Sequence, residues 1–233
     1  MADDRVLLIT GASTGIGAAT ARQAAEAGWR VVIGARSEEK LEKVAAEIGH
    51  GRALARRLDV TDWDDQQAFV KAALDEFGRA DAYFANAGFG AKRGFLEETV
   101  EFWKSMIDTN VLGAALSIRA ILPHFRETGS GHFLLTSSIA GRRALPGSLY
   151  SATKHAVTAM GEALRQELRA DESTARVRVT LIEPGMVDTP FFDSPVQGAL
   201  EADDIARAVM YALSQPEHVD VNEMLVRPTA QGT

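Results

Sequence analysis

The sequence predicts a doubly wound α/β domain, with a seven-stranded parallel sheet covered by helices on both faces. Three observations carry that expectation. Short apolar, β-branched runs alternate with longer helical patterns along the 233 residues, and such alternation builds a buried parallel sheet. A glycine-rich stretch separates the first apolar run from the first helix. No linker, repeat or low-complexity segment interrupts the pattern, so residues 1–233 read as a single domain with a substrate loop at about 186–200.

The elements follow in order. Residues 6–10 read as a strand and 15–27 as a helix; 30–35 is a strand and 38–48 a charged amphipathic helix. Residues 53–60 form a strand before a helix at 63–77, and 82–86 a strand before one long helix at about 100–125. A strand at 132–137 leads to a helix at 151–169, a strand at 177–182 to a helix at 202–213, and a short strand at 223–226 ends the sheet. Ligands of such sheets bind beyond the carboxyl ends of the strands, so the residues after each strand are the ones to read for chemistry.

Composition narrows the function classes. The chain is 46% hydrophobic and 24% charged, as in ordinary globular proteins, and carries a net charge of −7. Arg56-Arg57 and Arg142-Arg143 are isolated basic pairs, so no nucleic-acid partner is expected. The absence of cysteine excludes disulfides, thiol nucleophiles and thiolate metal sites, and fits a cytoplasmic setting. His50, His124, His132, His155 and His218 show no metal-ligand spacing. The acidic start, Met1-Ala2-Asp3-Asp4, is unlike a signal peptide, and no apolar run approaches the ~18 residues of a membrane span, so no membrane partner is expected.

The loop after the first strand is Thr10-Gly11-Ala12-Ser13-Thr14-Gly15-Ile16-Gly17. Its glycines permit a tight turn and let a pyrophosphate reach backbone N–H groups at a helix N-terminus. The same letters match a G-x-S-x-G nucleophile elbow, which would make Ser13 the nucleophile of a hydrolase; with only about ten residues before it, the oxyanion loop such an enzyme needs has no place. The second strand ends at Ala35-Arg36, where an NAD site would carry an acid for the ribose 2′-hydroxyl. Arg36 instead offers a cation to a 2′-phosphate, which favours NADP over NAD, although it could also pair with Glu38 or Glu39. Further on, Tyr150 and Lys154 stand one helical turn apart. The spacing fits a solvated stripe, and it also fits a phenol whose pKa is drawn down by a neighbouring ammonium for acid–base work.

With these residues in family order, the chain resembles the short-chain dehydrogenase/reductase family in its short, single-domain Rossmann form. The resemblance rests on residues 10–17, Asp59-Val60, Asn86-Ala87-Gly88, Asn110, Ser138, Tyr150-x-x-x-Lys154, and Pro184-Gly185 through Thr189. It implies an oxidoreductase moving a hydride between NADP(H) and a small carbonyl compound or secondary alcohol. Gly11, Ser13, Thr14, Gly15, Ile16 and Gly17 would hold the pyrophosphate, and Asp59 and Val60 would lie beside the adenine. Asn86, Ala87 and Gly88 would close the strand beneath the cofactor, while Pro184, Gly185, Val187 and Thr189 would contact the nicotinamide.

In this resemblance Tyr150 is the proton donor or acceptor, and Lys154 lowers its pKa and binds the ribose. Ser138 hydrogen-bonds the reacting oxygen, and Asn110, awkward in mid-helix, positions a water linking Lys154 to solvent. The fit departs from the family in one spacing: Ser138 precedes Tyr150 by twelve residues rather than the usual thirteen, which belongs to Ser137. Neighbouring strand residues face opposite ways, so only one can serve, and the Ser138-x-Ala140-Gly141 pattern selects Ser138. Ala85 also replaces a common second Asn. An intact catalytic set argues against a cofactor-binding regulator without turnover.

Pocket segments are expected at 89–95, 139–149 and 186–198, with Phe191, Phe192, Leu145 and Val196 as an apolar wall. Arg142, Arg143 and Lys92 could meet an acidic substrate or simply be solvated. The ending at 216–223 is similar to that of members acting on small hydroxy acids or hydroxy amino acids. A homodimer or homotetramer through the two long helices is the expected assembly, with Ala114, Ala115, Ile118, Ala156, Ala159 and Met160 as candidate contacts that could equally face the protein's own sheet.

Overall fold

The computed structural model describes residues 4–192 and 194–231; Met1 to Asp3 of the acidic start and Asp193 of the expected substrate loop lie outside the described residues. Seven strands form one parallel sheet: β1 (Val6–Thr10), β2 (Arg30–Ala35), β3 (Ala53–Arg57), β4 (Ala82–Ala85), β5 (Ser130–Thr136), β6 (Arg176–Pro184) and, at the far edge, β9 (Glu223–Val226). Their order across the sheet is β3-β2-β1-β4-β5-β6-β9, so the winding reverses between β1 and β4. In register, Thr10 pairs with Gly34 and Ile9 with Phe84, which lines up the carboxyl ends of β2, β1 and β4 along one rim.

The sheet separates two cores. Every residue of β1 is buried, and their alternation explains why: Val6 and Leu8 join the cluster under α3 (Trp63–Phe77), α5 (Gly113–Thr128) and α6 (Leu149–Arg169). Leu7 and Ile9 join the cluster under α1 (Gly15–Glu26), α2 (Glu38–Ile48) and α7 (Ala202–Ser214). A strand covered on both faces must be apolar throughout, and that is the uninterrupted run seen in the sequence. Helix ends are specified locally. Asp62 caps α3 through the Asp65 N–H, Gly78 ends it at φ 70°, and Glu201 with Asp204 forms a reciprocal capping box on α7.

The structure corrects the expected long helix at 100–125. It is α4 (Val100–Ile107), a π-helical turn (Asp108–Leu112) and α5 in continuous succession. The wide turn carries Asn110 at its centre, an insertion of the kind found at functional sites. By length and composition the stretch Val100–Thr128 could cross a membrane, yet Met106, Ile121 and Phe125 are fully buried against the domain. Ala114 is likewise part of the core, with Ile118 and Met160 packed on it, so these three candidate contacts serve the chain's own sheet. Strand β3 ends at Arg57 rather than 60, because Asp59 turns its carboxylate onto Thr61 and takes the chain out of the sheet. A two-stranded ribbon, β7 (Val187–Asp188) with β8 (Leu200–Glu201), was not foreseen; it closes the base of the loop at 186–200.

Candidate active site

The residues singled out in the sequence gather on the rim formed by the carboxyl ends of β1, β4, β5 and β6. At β1, Gly11 and Gly15 adopt φ of 66° and 54°, values that favour glycine. A Cβ on Gly17 would lie 2.5 Å from the Gly11 carbonyl oxygen, so the first turn of α1 sits directly on the loop. Helix α1 has neither a side-chain cap at Thr14 nor an acid in its first turn, whereas α2, α3, α4 and α7 carry acids there and Ser148 caps α6. Among the described residues, no side-chain cap or first-turn acid thus meets its first N–H groups and positive dipole end, which fits a pyrophosphate there. Ser13 has no histidine hydrogen-bonded to it among the described residues; His124, His132 and His155 bond to Ala80, Thr180 and Ser151 instead.

Asn86 ties the rim together. Its N–H and that of Ala87 donate to the Thr10 hydroxyl at 3.0 Å, and its Nδ2 donates to the Thr10 carbonyl at 3.1 Å. The Thr136 hydroxyl of β5 donates to Asn86 Oδ1 at 3.2 Å. One amide therefore locks β1, β4 and β5 at the level where a cofactor would rest. Beyond β2, exposed Arg36 has no ion pair or hydrogen bond among the described residues, so pairing with Glu38 or Glu39 is not what it does here. Burial pushes the Asp59 carboxyl upward, but the two Thr61 hydrogen bonds, with Arg36 and Arg57 nearby, hold it below the usual range. Arg57 itself turns to Asp65 at 2.9 Å. Val60 and Val187 bury their side chains in the two cores, and Ile16 packs partly on the second.

Thr189 lies over the phosphate loop, where a Cβ on Gly15 would meet its side chain at 3.2 Å. Gly185 is anchored by its N–H to the Val226 carbonyl at 2.7 Å. The Ser138 hydroxyl donates to the Pro184 carbonyl at 3.3 Å, so the segment expected at the nicotinamide abuts the candidate serine.

The candidate acid–base group is compact. Ser138 accepts from the Ala140 N–H at 3.1 Å, and its hydroxyl is near enough to the Tyr150 phenol to pull that group's pKa downward. Ser137 points away, bonding the Lys154 carbonyl and the Thr158 hydroxyl, so Ser138 is the serine that faces Tyr150. Buried Lys154 donates from Nζ to the Thr136 carbonyl at 2.7 Å and lies 5.6 Å from the Tyr150 ring centre. Asn110 is spent on protein groups: Oδ1 accepts from the Phe89 N–H at 3.0 Å, and Nδ2 donates to the Phe89 carbonyl and the Thr153 hydroxyl. Gly88 separates it from Lys154; a Cβ there would stand 3.0 Å from Asn110 Oδ1 and 3.7 Å from Lys154 Nζ.

The expected drop of the phenol pKa is not what the protein groups alone produce. Burial pushes Tyr150 up to about 12, opposed by the Ser138 hydrogen bond, and pushes Lys154 down to about 8. Removing both charged forms from water outweighs their mutual support at this separation. Tyr150 therefore keeps its proton at neutral pH, and Lys154 is a cation that yields its proton easily.

The three expected pocket segments do converge. The Gly94 N–H donates to the Gly147 carbonyl at 2.7 Å, and Phe191 sets its ring 5.6 Å from that of Tyr150 and against Gly90. Arg142 corrects the reading of a solvated or substrate-facing charge: its Nε donates to Glu183 at 2.7 Å and its guanidinium also pairs with Glu223. Burial raises the Glu183 carboxyl, Arg142 opposes that, and Glu223 adds to it. From sequence, Thr136, Thr153 and Glu183 had no role, and Thr10 stood only as the start of the loop motif. Glu183 had a signal, an acid set between the apolar pair Leu181-Ile182 and Pro184, whereas the threonines act through partners distant in sequence.

A doubly wound sheet with a phosphate loop at its switch point and a Ser–Tyr–Lys group on the same rim defines a dinucleotide-dependent oxidoreductase. Comparison with known proteins agrees. The sequence model for the short chain dehydrogenase matches residues 5–198. An uncharacterized oxidoreductase of Staphylococcus saprophyticus is 38% identical, over 98% of this chain and 97% of its own. An alcohol dehydrogenase of Thermococcus sibiricus, solved with 5-hydroxy-NADP, is 34% identical with a TM-score of 0.90 over 99% of each chain. A 3-ketoacyl-(acyl-carrier-protein) reductase of Brucella melitensis, solved with NADH, is 32% identical with a TM-score of 0.88, over 97% of this chain and 98% of the other. The chain belongs to the short-chain dehydrogenase family and is an oxidoreductase of that family.

Proposed function

We propose that the protein is an NADP(H)-dependent oxidoreductase that interconverts a small carbonyl compound and the corresponding secondary alcohol, with Tyr150 as the proton-transfer group. The observation that carries this reading is the convergence of Ser138, Tyr150 and Lys154 beside the Pro184–Thr189 segment, on the rim that bears the phosphate loop. When bound, the nicotinamide supplies or takes the hydride. Gly11 to Gly17 and the bare α1 N-terminus hold its pyrophosphate, with Asn86, Ala87 and Gly88 beneath it. Arg36 takes the 2′-phosphate, being exposed, unpaired among the described residues and preceded by Ala35 where NAD sites carry an acid.

In reduction, Tyr150 gives its proton to the developing alkoxide while Ser138 turns its hydroxyl from Pro184 to that oxygen. A phenol protonated at neutral pH suits this direction, and general acid catalysis of this kind contributes about 10²–10⁴-fold. In oxidation the phenolate form of Tyr150 takes the hydroxyl proton. Lys154 carries the positive charge beside the ring, and Asn110, with both Nδ2 hydrogens committed to Phe89 and Thr153, offers the second lone pair of Oδ1 to a water between Lys154 and solvent. A cytoplasmic homodimer or homotetramer completes the reading, supported by exposed Val100, Ile107 and Leu112 on the long helix.

The test is binding of NADPH and NADH followed by turnover over a panel of ketones and secondary alcohols, with Tyr150→Phe alongside. The expected result is tighter NADPH binding, activity on at least one carbonyl, and loss of about 10²–10⁴-fold in Tyr150→Phe with NADPH binding retained. Tight NADPH binding without turnover on any substrate would favour a regulator, and full activity in Tyr150→Phe would overturn the mechanism.

A further inference from the structure

The turn that carries Ser138 is pinned at both ends to one dipeptide. Ser138 opens a short 3₁₀ turn, Ile139–Gly141, and Arg142 closes it. At the first end the Ser138 hydroxyl reaches the Pro184 carbonyl at 3.3 Å; at the other, Arg142 Nε reaches the Glu183 carboxylate at 2.7 Å. Glu183 and Pro184 are the last residues of β6, and the chain runs from them straight into Gly185 and the segment ending at Thr189. A further bond from Arg142 to Glu223 ties the same turn to β9.

Stability is a poor reason for this pair. From Val177 onward every residue of β6 is buried, and the Glu183 side chain is 2% exposed while that of Arg142 is 37% exposed. A buried ion pair generally stabilises no better than apolar residues of the same volume, which would suit this strand. What apolar contact does not supply is direction: a guanidinium between two carboxylates fixes its own orientation through its donors, and with it the end of the turn.

We infer that Arg142, held by Glu183 and Glu223, is a positioning residue that sets the Ser138 hydroxyl against Tyr150 and the Pro184–Thr189 segment. The inference rests on the reading of Ser138 and Tyr150 as the reacting pair. Arg142 touches neither member of that pair; it acts by keeping the Ser138 turn and the Glu183–Pro184 dipeptide in one rigid frame. An error of about 1 Å in such a frame costs about 100-fold in rate.

The experiment is a double-mutant cycle on the full-length enzyme with NADPH and the best carbonyl substrate of the panel, using Arg142→Met, Ser138→Ala and both together, with Arg142→Lys and Glu183→Gln as companions. Arg142→Met should lower kcat by about 10- to 100-fold while substrate KM and NADPH affinity stay within about 3-fold. Arg142→Lys should recover part of the loss. In the Ser138→Ala background Arg142→Met should cost little more, because the group it positions is already gone. Equal losses in both backgrounds, or wild-type kcat in Arg142→Met, would overturn the inference. If Arg142→Met does not fold, Glu183→Gln decides: a kcat loss confined to the Ser138 background supports the clamp, and its absence refutes it. A Ser138→Ala enzyme with wild-type kcat would sink the underlying site reading instead, which the cycle registers separately.

Discussion

Replacing Lys154 by methionine should abolish turnover and make the cofactor-free protein more stable. The lysine is buried, and burial lowers its pKa from 10.5 to about 8, so at pH 7 the fold holds an ammonium that water would hold more cheaply. A shift of that size corresponds to about 3 kcal/mol of folding free energy at about 1.4 kcal/mol per unit. Methionine keeps the apolar stem and removes the charge, but it orphans the Thr136 carbonyl, which returns about 1–2 kcal/mol. The net gain is about 1–2 kcal/mol, a rise of a few degrees in Tm for a chain of this size. Folded Lys154 releases its proton near pH 8 and the unfolded chain keeps it to 10.5. The penalty is therefore full below pH 8 and fades as pH climbs towards 10.5, so the advantage of the variant should fade over the same window. Urea unfolding followed by tryptophan fluorescence at pH 7 and pH 10 measures both values. A variant less stable than its parent at pH 7, or a stability difference that does not change with pH, refutes the reasoning.

Three further outcomes follow from the geometry. Arg36→Gln should weaken NADPH binding about 10- to 100-fold, the loss of one charged hydrogen-bonded contact, and leave NADH binding unchanged in fluorescence titrations; equal effects on both would remove Arg36 from the 2′-phosphate. Ser138→Ala should lower kcat by about 10²-fold with little change in Tm, while Ser137→Ala, which breaks bonds to Lys154 and Thr158, should show the reverse pattern in kinetics and thermal melts. Gly17→Ala should abolish dinucleotide binding by calorimetry, because a Cβ 2.5 Å from the Gly11 oxygen forces α1 away from the loop; retained affinity would show that the loop can yield.

Much of the candidate site was legible because its residues declare themselves locally. A glycine loop after a strand, a Tyr and Lys one turn apart, and Pro-Gly after a strand each have a backbone reason for their spacing. Arg36 could be proposed from sequence because the absence of an acid at Ala35 needs no neighbour to be noticed. Between Ser137 and Ser138 the spacing to Tyr150 and the local Ser138-x-Ala140-Gly141 pattern pointed opposite ways, and the direction of each side chain agrees with the pattern. The π turn around Asn110 was hidden because a single wide turn leaves the helical periodicity almost intact.

The sequence alone determined the sheet, its seven strands and the position of the glycine loop after β1, because buried runs and turn glycines are properties of consecutive residues. Tertiary structure decided everything that depends on groups brought together from afar. It set the upward shift of Tyr150 and downward shift of Lys154, which reflect burial more than the pairing the spacing suggested. It also turned Arg142 from a surface cation into the partner of Glu183 and Glu223, 41 residues away in the first case and across two strands in the second. The physical reason is the same for both: the cost of a charge is fixed by what surrounds it, and those surroundings exist only once the chain has folded.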